Sequence, residues 1–495
     1  MLYGQVSTQG KGQGMVMTGI AEKEYGLLIG GTWRSAGDTA EIRNPYDGKI
    51  VATVRRADAA LMDSAIAAAQ KTFEKTRALA THERVAILDR MVTGLRARAE
   101  EIALTITAEA GKPIALARAE VERGISTFDT AAREVHRLEG EALPLDIAPA
   151  GKGHWGLTRR FPIGPIAAIT PFNFPLNLVA HKVAAAIAVG NPIVLRPASQ
   201  TPVTSLILGE IAMAAGLPDG ALNVVPSPVE QAEQLVADER IKMVTFTGSA
   251  DVGWPLKSKA GKKKVLLELG GNCAAIVSTD ADLDVAIPRL AIAAFAYAGQ
   301  ICISLQRLIV HRSIYDEFLE GFLRYVDREV GVGNPAEESV ICGPLITRKD
   351  ADRVTTWIEE AIRCNSQRLL GGQRESNVVW PTVLAKVPTA MKVNALEVFG
   401  PVVVIYPYDV FDQAIEMVND SVYGLQAGIF TRDVNRILQA FAQIDVGGVI
   451  VNDSPMLRVD NMPFGGVKNS GFGREGVKYT MQEMTEPKLL VFNAI

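Results

Sequence analysis

Residues 243–253 read MVTFTGSADVG. A short apolar run ends in Thr-Gly-Ser, and a stretch compatible with a helix near 251–260 begins at once. Gly248 to Gly253 is a G-x-x-x-x-G at the junction. A helix start there would offer unpaired N–H groups and the positive end of the helix dipole, which suits a pyrophosphate. The pattern is not G-x-G-x-x-G, and no lysine follows it as in a P-loop. Taken alone, the stretch is either a plain tight turn or a phosphate cradle. Working outward, the same rhythm repeats. Upstream come IAAIT (166–170), a helix from about 176 to 189, PIVLR (192–196), a helix over 201–215, LNVV (222–225) and a helix near 229–237; VLLEL (265–269) lies downstream. Short buried strands alternating with helices predict βαβ units and a parallel sheet covered on both faces. Ligands on such sheets bind where strands end and helices begin.

Alternation resumes after Asn272 with AAIV (274–277), a helix near 283–298, RLIVH (307–311) and a helix near 314–330, which predicts a second α/β unit. Ahead of both, residues 59–78 and 82–110 read as amphipathic helices, Gly111 as a stop, and 113–136 as a third helix. KLLVF (488–492) is a lone terminal strand that must pair somewhere, with another subunit as one option.

The chain has 495 residues, enough for two or three domains. Its 51 basic and 55 acidic side chains leave a net charge of −4, with no clustered basic face for nucleic acid. Lys262-Lys263-Lys264 is the compact exception, a solvated loop or a phosphate contact. The four cysteines form no C-x-x-C and the five histidines do not pair at ligand spacing, so neither a metal site nor a disulfide framework is expected, and a reducing cytoplasm is. Apolar stretches fall short of a membrane span. Residues 1–26 read as a flexible tail without a signal-peptide core.

Five stretches hold candidate chemistry. Cys302, in YAGQICIS, is a small buried hydrophobe or a nucleophile. Glu268 sits inside a run that otherwise reads as buried strand, where a carboxylate needs pairing or acquires a raised pKa useful to a general base. The alternative is a strand-end residue facing solvent. Asn173, between Pro171 and Pro175, is a turn asparagine or a rigid amide able to donate to an oxyanion. EVFGP (397–401) and the Gly-rich MPFGGVKNSGFGREG (462–476) complete the set.

In order, TPFNFP, VLRPASQTP, FTGS, LELGG, GQICIS, EVFGP and PFGGVKNSGFGRE resemble the motifs of the aldehyde dehydrogenase superfamily, from about residue 27 to the end. The resemblance implies an α/β fold with a Rossmann-like cofactor domain (27–140 and 162–268), a catalytic domain (269–461) and a β-arm for oligomerisation (141–161 and 480–495), with 462–479 as a returning loop. It implies NAD(P)-dependent oxidation of a small aldehyde to the carboxylate by a homodimer or homotetramer. Cys302 would be the nucleophile, passing through a thiohemiacetal and a thioester. Glu268 would activate the hydrolytic water, and Asn173 with the Cys302 N–H would hold the oxyanion. Lys182 is similar to a lysine assigned to cofactor positioning or proton relay. Thr170, Phe172, Gly248, Ser249, Glu397 and Phe399 would line the cofactor, Ser249 at the pyrophosphate and Glu397 at the nicotinamide-side ribose.

The chain departs from that pattern at RPAS. Arg196 and Ser199 stand where NAD-preferring members commonly carry Lys and Glu. Without that glutamate a 2′-phosphate is not repelled, and an arginine can grip it in bidentate fashion. NADP is therefore the expected cofactor, with NAD as the alternative. Ile301 precedes the thiol where members acting on phosphorylated glyceraldehyde tend to carry Arg, which speaks against that substrate. Arg123 and Arg458 are candidates for an anionic substrate tail, or structural ion-pair residues. CoA-acylating members usually lack the glutamate at 268, a non-catalytic member would lose Cys302 or Glu268, and a cysteine hydrolase would want a His–Cys pair.

Overall fold

The computed structural model describes residues 23–138 and 140–493. Most of the tail expected at 1–26 lies outside them. Its last residues do not: Glu24–Tyr25 form a strand that pairs in parallel with Thr53 and Val54, and Tyr25 is buried.

An eight-stranded sheet runs in the order Gly471–Phe472, Lys264–Glu268, Met243–Thr247, Ile166–Ile169, Ile193–Arg196, Leu222–Val224, Leu27–Ile29, Thr32–Arg34. The five strands from Lys264–Glu268 to Leu222–Val224 are parallel. The chain enters at Ile166–Ile169, winds outward through two strands, then returns to the other side at Met243–Thr247. That reversal opens a crevice at the carboxyl ends of the two central strands. The register pairs Thr247 with Glu268 and Ile169 with Arg196, so these residues lie along one edge. Lys262 and Lys264, of the basic run, border a surface cavity of about 450 Å³ with Lys242 and Lys488, at the opposite edge.

A seven-stranded sheet follows: Gln367–Leu370, Thr382–Ala385, Val402–Tyr408, Leu305–His311, Cys273–Val277, Gln426–Phe430, Gly448–Val451. Only Gln367–Leu370 runs antiparallel. Glu268 ends a strand of the first sheet and Cys273 begins one of the second. The carboxyl edge of one sheet therefore faces the amino edge of the other across Leu269–Asn272.

Two helices differ from expectation. The 82–110 segment is split into Thr81–Ala97 and Ala99–Ala110, because Arg98 ends one helix and starts the next. The helix expected to reach 298 stops at Phe295, where Tyr297 and Ala298 turn left-handed. The terminal strand Thr485–Asn493 pairs within its own chain, antiparallel to His154–Pro162. With Ala142–Pro144 these make a small separate sheet. Every residue of the Asn177–Val189 helix is buried. Burying each large apolar side chain contributes roughly 1.5–3 kcal/mol, which fixes this helix firmly between the first sheet and Ile114–Glu134.

Candidate active site

At the crevice, Thr170 is buried and donates its N–H to the Arg196 carbonyl at 3.2 Å. Ser249 starts the Ala250–Lys259 helix and leaves its hydroxyl uncommitted to the cap. Three buried polar atoms along this edge lack a partner: Thr247 Oγ1, Ser227 Oγ and Arg196 Nε. Unpaired buried donors and acceptors are costly unless a ligand or water meets them. Their row, ending at a helix N-terminus, fits a ligand rich in hydroxyls and phosphates. Arg196 departs from a freely gripping residue. It is buried and donates from Nη2 to the Ser227 carbonyl at 2.8 Å, reaching the exposed Ser199 only at 3.5 Å. Burial also pulls its pKa below the usual arginine value.

On the second sheet's side, Glu397 Oε1 accepts from the Gly271 N–H at 3.0 Å. A Cβ on Gly270 would come within 2.3 Å of Glu397 Oε2, so glycine there permits the approach. Burial pushes Glu397 up to about 7, with the Gly271 N–H opposing. Phe399 has φ 46° and meets Phe172 edge-on, ring centroids 5.8 Å apart.

Cys302 lies between a distorted turn and the strand Leu305–His311. Tyr297 and Ala298, both at φ 52°, precede it. Left-handed backbone in such residues costs about 1–3 kcal/mol each and persists only where the surroundings enforce it. Here they do: Tyr297 is fully buried and its hydroxyl donates to the Ala110 carbonyl at 2.9 Å. Gln300, also buried, donates to the Tyr297 and Pro344 carbonyls and accepts from the Ile346 N–H. Asn173 Nδ2 donates to the Gln300 carbonyl at 2.9 Å. An amide nitrogen has two N–H groups, so the second is left for another acceptor. Burial holds the Cys302 thiol well above its ordinary pKa, while the positive field of Arg458 opposes.

Glu268 is buried, and neither carboxylate oxygen has a hydrogen-bond partner. The returning loop covers it, since a Cβ on Gly465 would lie 2.9 Å from Oε1. Burial, then repulsion from Glu475, raises its pKa well above the usual carboxylate range, against Arg458, Lys182 and Arg474. Lys182 is fully buried, its Nζ 3.0 Å from both Thr245 Oγ1 and Glu475 Oε1. Glu475 Oε2 accepts from Arg458 at 2.8 Å. Burial alone would raise Glu475, but Lys182, His181 and Arg458 hold it well below the usual range. One carboxylate is thus kept charged and the other predisposed to hold a proton.

Arg458 stacks on Phe464 at 3.8 Å and keeps a buried, unpartnered Nε. Arg123 forms a two-point contact with Asp460 at 2.9 and 3.3 Å and is partly exposed. Both are ion-pair residues in this state. Ile301 is buried against the apolar core. Sequence reasoning quoted the loop holding Glu475 but missed that residue; a charged side chain inside so Gly-rich a loop was the available signal. Asp460, which also accepts from His181 and Asn177, had none.

Two sheets with parallel cores, a thiol on a strained turn, a rigid amide and an unpaired buried carboxylate fit an α/β enzyme of the dinucleotide-dependent oxidoreductase type. The model of the aldehyde dehydrogenase family matches residues 33–490. The chain belongs to the aldehyde dehydrogenase family. It is 43% identical over 479 residues to a 3-sulfolactaldehyde dehydrogenase of Priestia aryabhattai, covering 96% of this chain and all (100%) of the relative. Among solved structures, aldehyde dehydrogenase 21 from Physcomitrella patens, in complex with the reaction product succinate, is 46% identical with a TM-score of 0.94, covering 96% of this chain and 99% of that one. A glyceraldehyde-3-phosphate dehydrogenase from Methanocaldococcus jannaschii, complexed with NADP, is 39% identical with a TM-score of 0.89, covering 93% of this chain and 100% of that one. Among the described residues no helix is long and apolar enough to cross a membrane.

Proposed function

We propose that this enzyme oxidises a short aldehyde with an acidic tail to the carboxylate, with NADP preferred over NAD. The observation that carries the hydrolytic step is Glu268, whose two buried oxygens are unpartnered and whose charge acts on the Cys302 thiol. A base committed to a salt bridge could not take a proton from water.

The residues divide the work as follows. Cys302 attacks the carbonyl as the thiolate, its proton released to solvent and the thiolate returned as leaving group when the thioester is hydrolysed; Arg458 favours the thiolate against burial. The oxyanion that develops accepts from the second Asn173 N–H and from the Cys302 backbone N–H. Such a donor contributes typically about 2.7–4 kcal/mol. A bound nicotinamide supplies the hydride acceptor; Thr170, Phe172, Gly248, Ser249, Glu397 and Phe399 would hold the dinucleotide, with Arg196 and Ser199 near the adenosine end. The acyl group left on Cys302 is a thioester. Glu268 removes a proton from the attacking water, and the acid departs. Burial chiefly raises the pKa of Glu268; the charge of Glu475 adds to it, and Arg458 and Lys182 oppose.

The acidic tail is supported by the names of the relatives, which act on sulfolactaldehyde or carry succinate. Arg458, through its uncommitted Nε, is the cation to receive it, and Arg123 would first have to leave Asp460. Ile301 argues against a phosphorylated glyceraldehyde. Ser199, neutral and exposed, supports NADP. A homodimer or homotetramer is supported by apolar surface: Leu489, Leu490, Val491 and Phe492 are exposed on the arm, and Val434, Leu438 and Phe441 on one helix.

Purified protein offered sulfonated, carboxylated, phosphorylated and uncharged aldehydes, with NAD or NADP and without CoA, tests this. Fastest turnover on an acid-tailed aldehyde with NADP is expected. Turnover only after adding CoA would replace water by a thiol acceptor; equal rates on uncharged aldehydes would remove the acidic tail.

A further inference from the structure

Lys112 and Glu120 form an ion pair away from the reacting groups, and each is only 1% exposed. A buried pair is weak evidence for stability, since apolar replacements are often neutral or better. Its contacts indicate another use. Glu120 Oε1 accepts from the backbone N–H groups of Leu176 and Asn177 at 2.9 and 3.1 Å. These are the first turn of the Asn177–Val189 helix, just beyond Asn173. Lys112 Nζ lies 3.6 Å from the Phe174 ring centroid and 4.8 Å from that of Tyr297. Phe174 follows Asn173; Tyr297 begins the strained turn leading to Cys302.

The contacts close a ring. Asn173 donates to the Gln300 carbonyl, and Gln300 donates to the Tyr297 carbonyl. The Tyr297 ring faces Lys112, Lys112 pairs with Glu120, and Glu120 holds the residues that follow Asn173. The two loops are thus tied on one side by a single hydrogen bond and on the other by a cation seated on two rings. Cation–π contacts are stronger when the cation is desolvated, as Lys112 is here.

We propose that Lys112 and Glu120 are positioning residues that clamp the Asn173 loop to the Cys302 loop, holding oxyanion donor and thiol at one separation. This rests on the reading that Asn173 and Cys302 carry the reaction.

The test is the double variant Lys112→Met/Glu120→Gln in the full-length enzyme. It removes both charges together, so no lone buried ion remains, and glutamine can still accept from the helix N-terminus. Single-turnover hydride transfer, with enzyme in excess of aldehyde, is expected to slow roughly 10–100-fold, the usual effect of a small misplacement. The Kd for NADP, the rate of Cys302 alkylation by iodoacetamide and the Tm are expected to hold, a split that lost stability alone would not produce. Hydride transfer at the parental rate overturns the proposal. So does a parallel loss in all four measurements (slower hydride transfer, a higher Kd, slower alkylation and a lower Tm), which assigns the pair to stability. Should the double variant not fold, Lys112→Arg is judged by the same criteria, because it keeps a cation beside Glu120 but changes its seat on the rings. The parent enzyme is the control: failure there to reduce cofactor refutes the proposed reaction and not the clamp.

Discussion

Glu268→Gln separates the two halves of the reaction and also reads the electrostatics of the site. Glutamine keeps the shape of the side chain and removes the charge. General-base catalysis contributes typically ~10²–10⁴-fold, so thioester hydrolysis should slow by that factor. Thiol attack and hydride loss do not need the base in this scheme. Rapid mixing with aldehyde and NADP should then give one equivalent of reduced cofactor per active site, followed by a near-stop. Stability should move the other way. The folded pKa of Glu268 is raised above the unfolded value, chiefly by burial. A raised group contributes most below the unfolded pKa, and that contribution is lost as pH rises through the folded value. Wild type therefore holds a carboxylate that resists ionising as pH rises, and the variant does not. Each pH unit over which the folded chain holds a proton that the unfolded chain has released costs about 1.4 kcal/mol, a cost glutamine does not carry. With an unfolding entropy near 2.1 cal/mol/K per residue, a chain of 495 residues changes by about 1 kcal/mol per degree, so Tm should rise ~1–3 °C at alkaline pH. The gain should vanish in acid. Unchanged steady turnover would refute the base role. Loss of the first turnover together with the steady rate would place Glu268 in thiol activation instead.

Asn173→Ala should slow hydride transfer about 10²–10³-fold with cofactor affinity intact; a loss chiefly in NADP binding, read by titration, would argue against an oxyanion donor. Glu475→Gln leaves Lys182 and Arg458 buried without their shared carboxylate and should cost roughly 3–5 kcal/mol in denaturant unfolding. Because Glu475 is held below the usual carboxylate range, its contribution is present above that range and lost in acid, so variant and wild type should converge as pH falls. Ser199→Glu restores a carboxylate near Arg196 and should lower kcat/KM for NADP by roughly tenfold or more relative to NAD; an unchanged cofactor ratio would show that Ser199 does not face the 2′-position.

Much was legible along the chain because hydrophobic periodicity and turn residues are local properties. The strands at 166–169, 193–196, 222–224 and 243–247 emerge within a residue or two of where their apolar runs predict them. The break at Arg98 has no glycine or proline beside it, and the one at Tyr297 begins two residues ahead of Gly299, on residues that do not favour a left-handed turn. They arise where packing enforces a conformation that local preference does not favour. Cys302, Glu268 and Asn173 were singled out by motif order, while their local sequence left a structural reading open for each. What folding alone supplied is convergence. Glu268 ends a strand in one sheet and Cys302 precedes a strand in the other. Arg123 meets Asp460 across 337 positions, and Lys182 meets Glu475 across 293. Thr485 pairs with Pro162 in the same chain. Whether a charge is a solvated surface group or a buried partner depends on which distant segment covers it. Topology and burial set that, and periodicity carries no record of either.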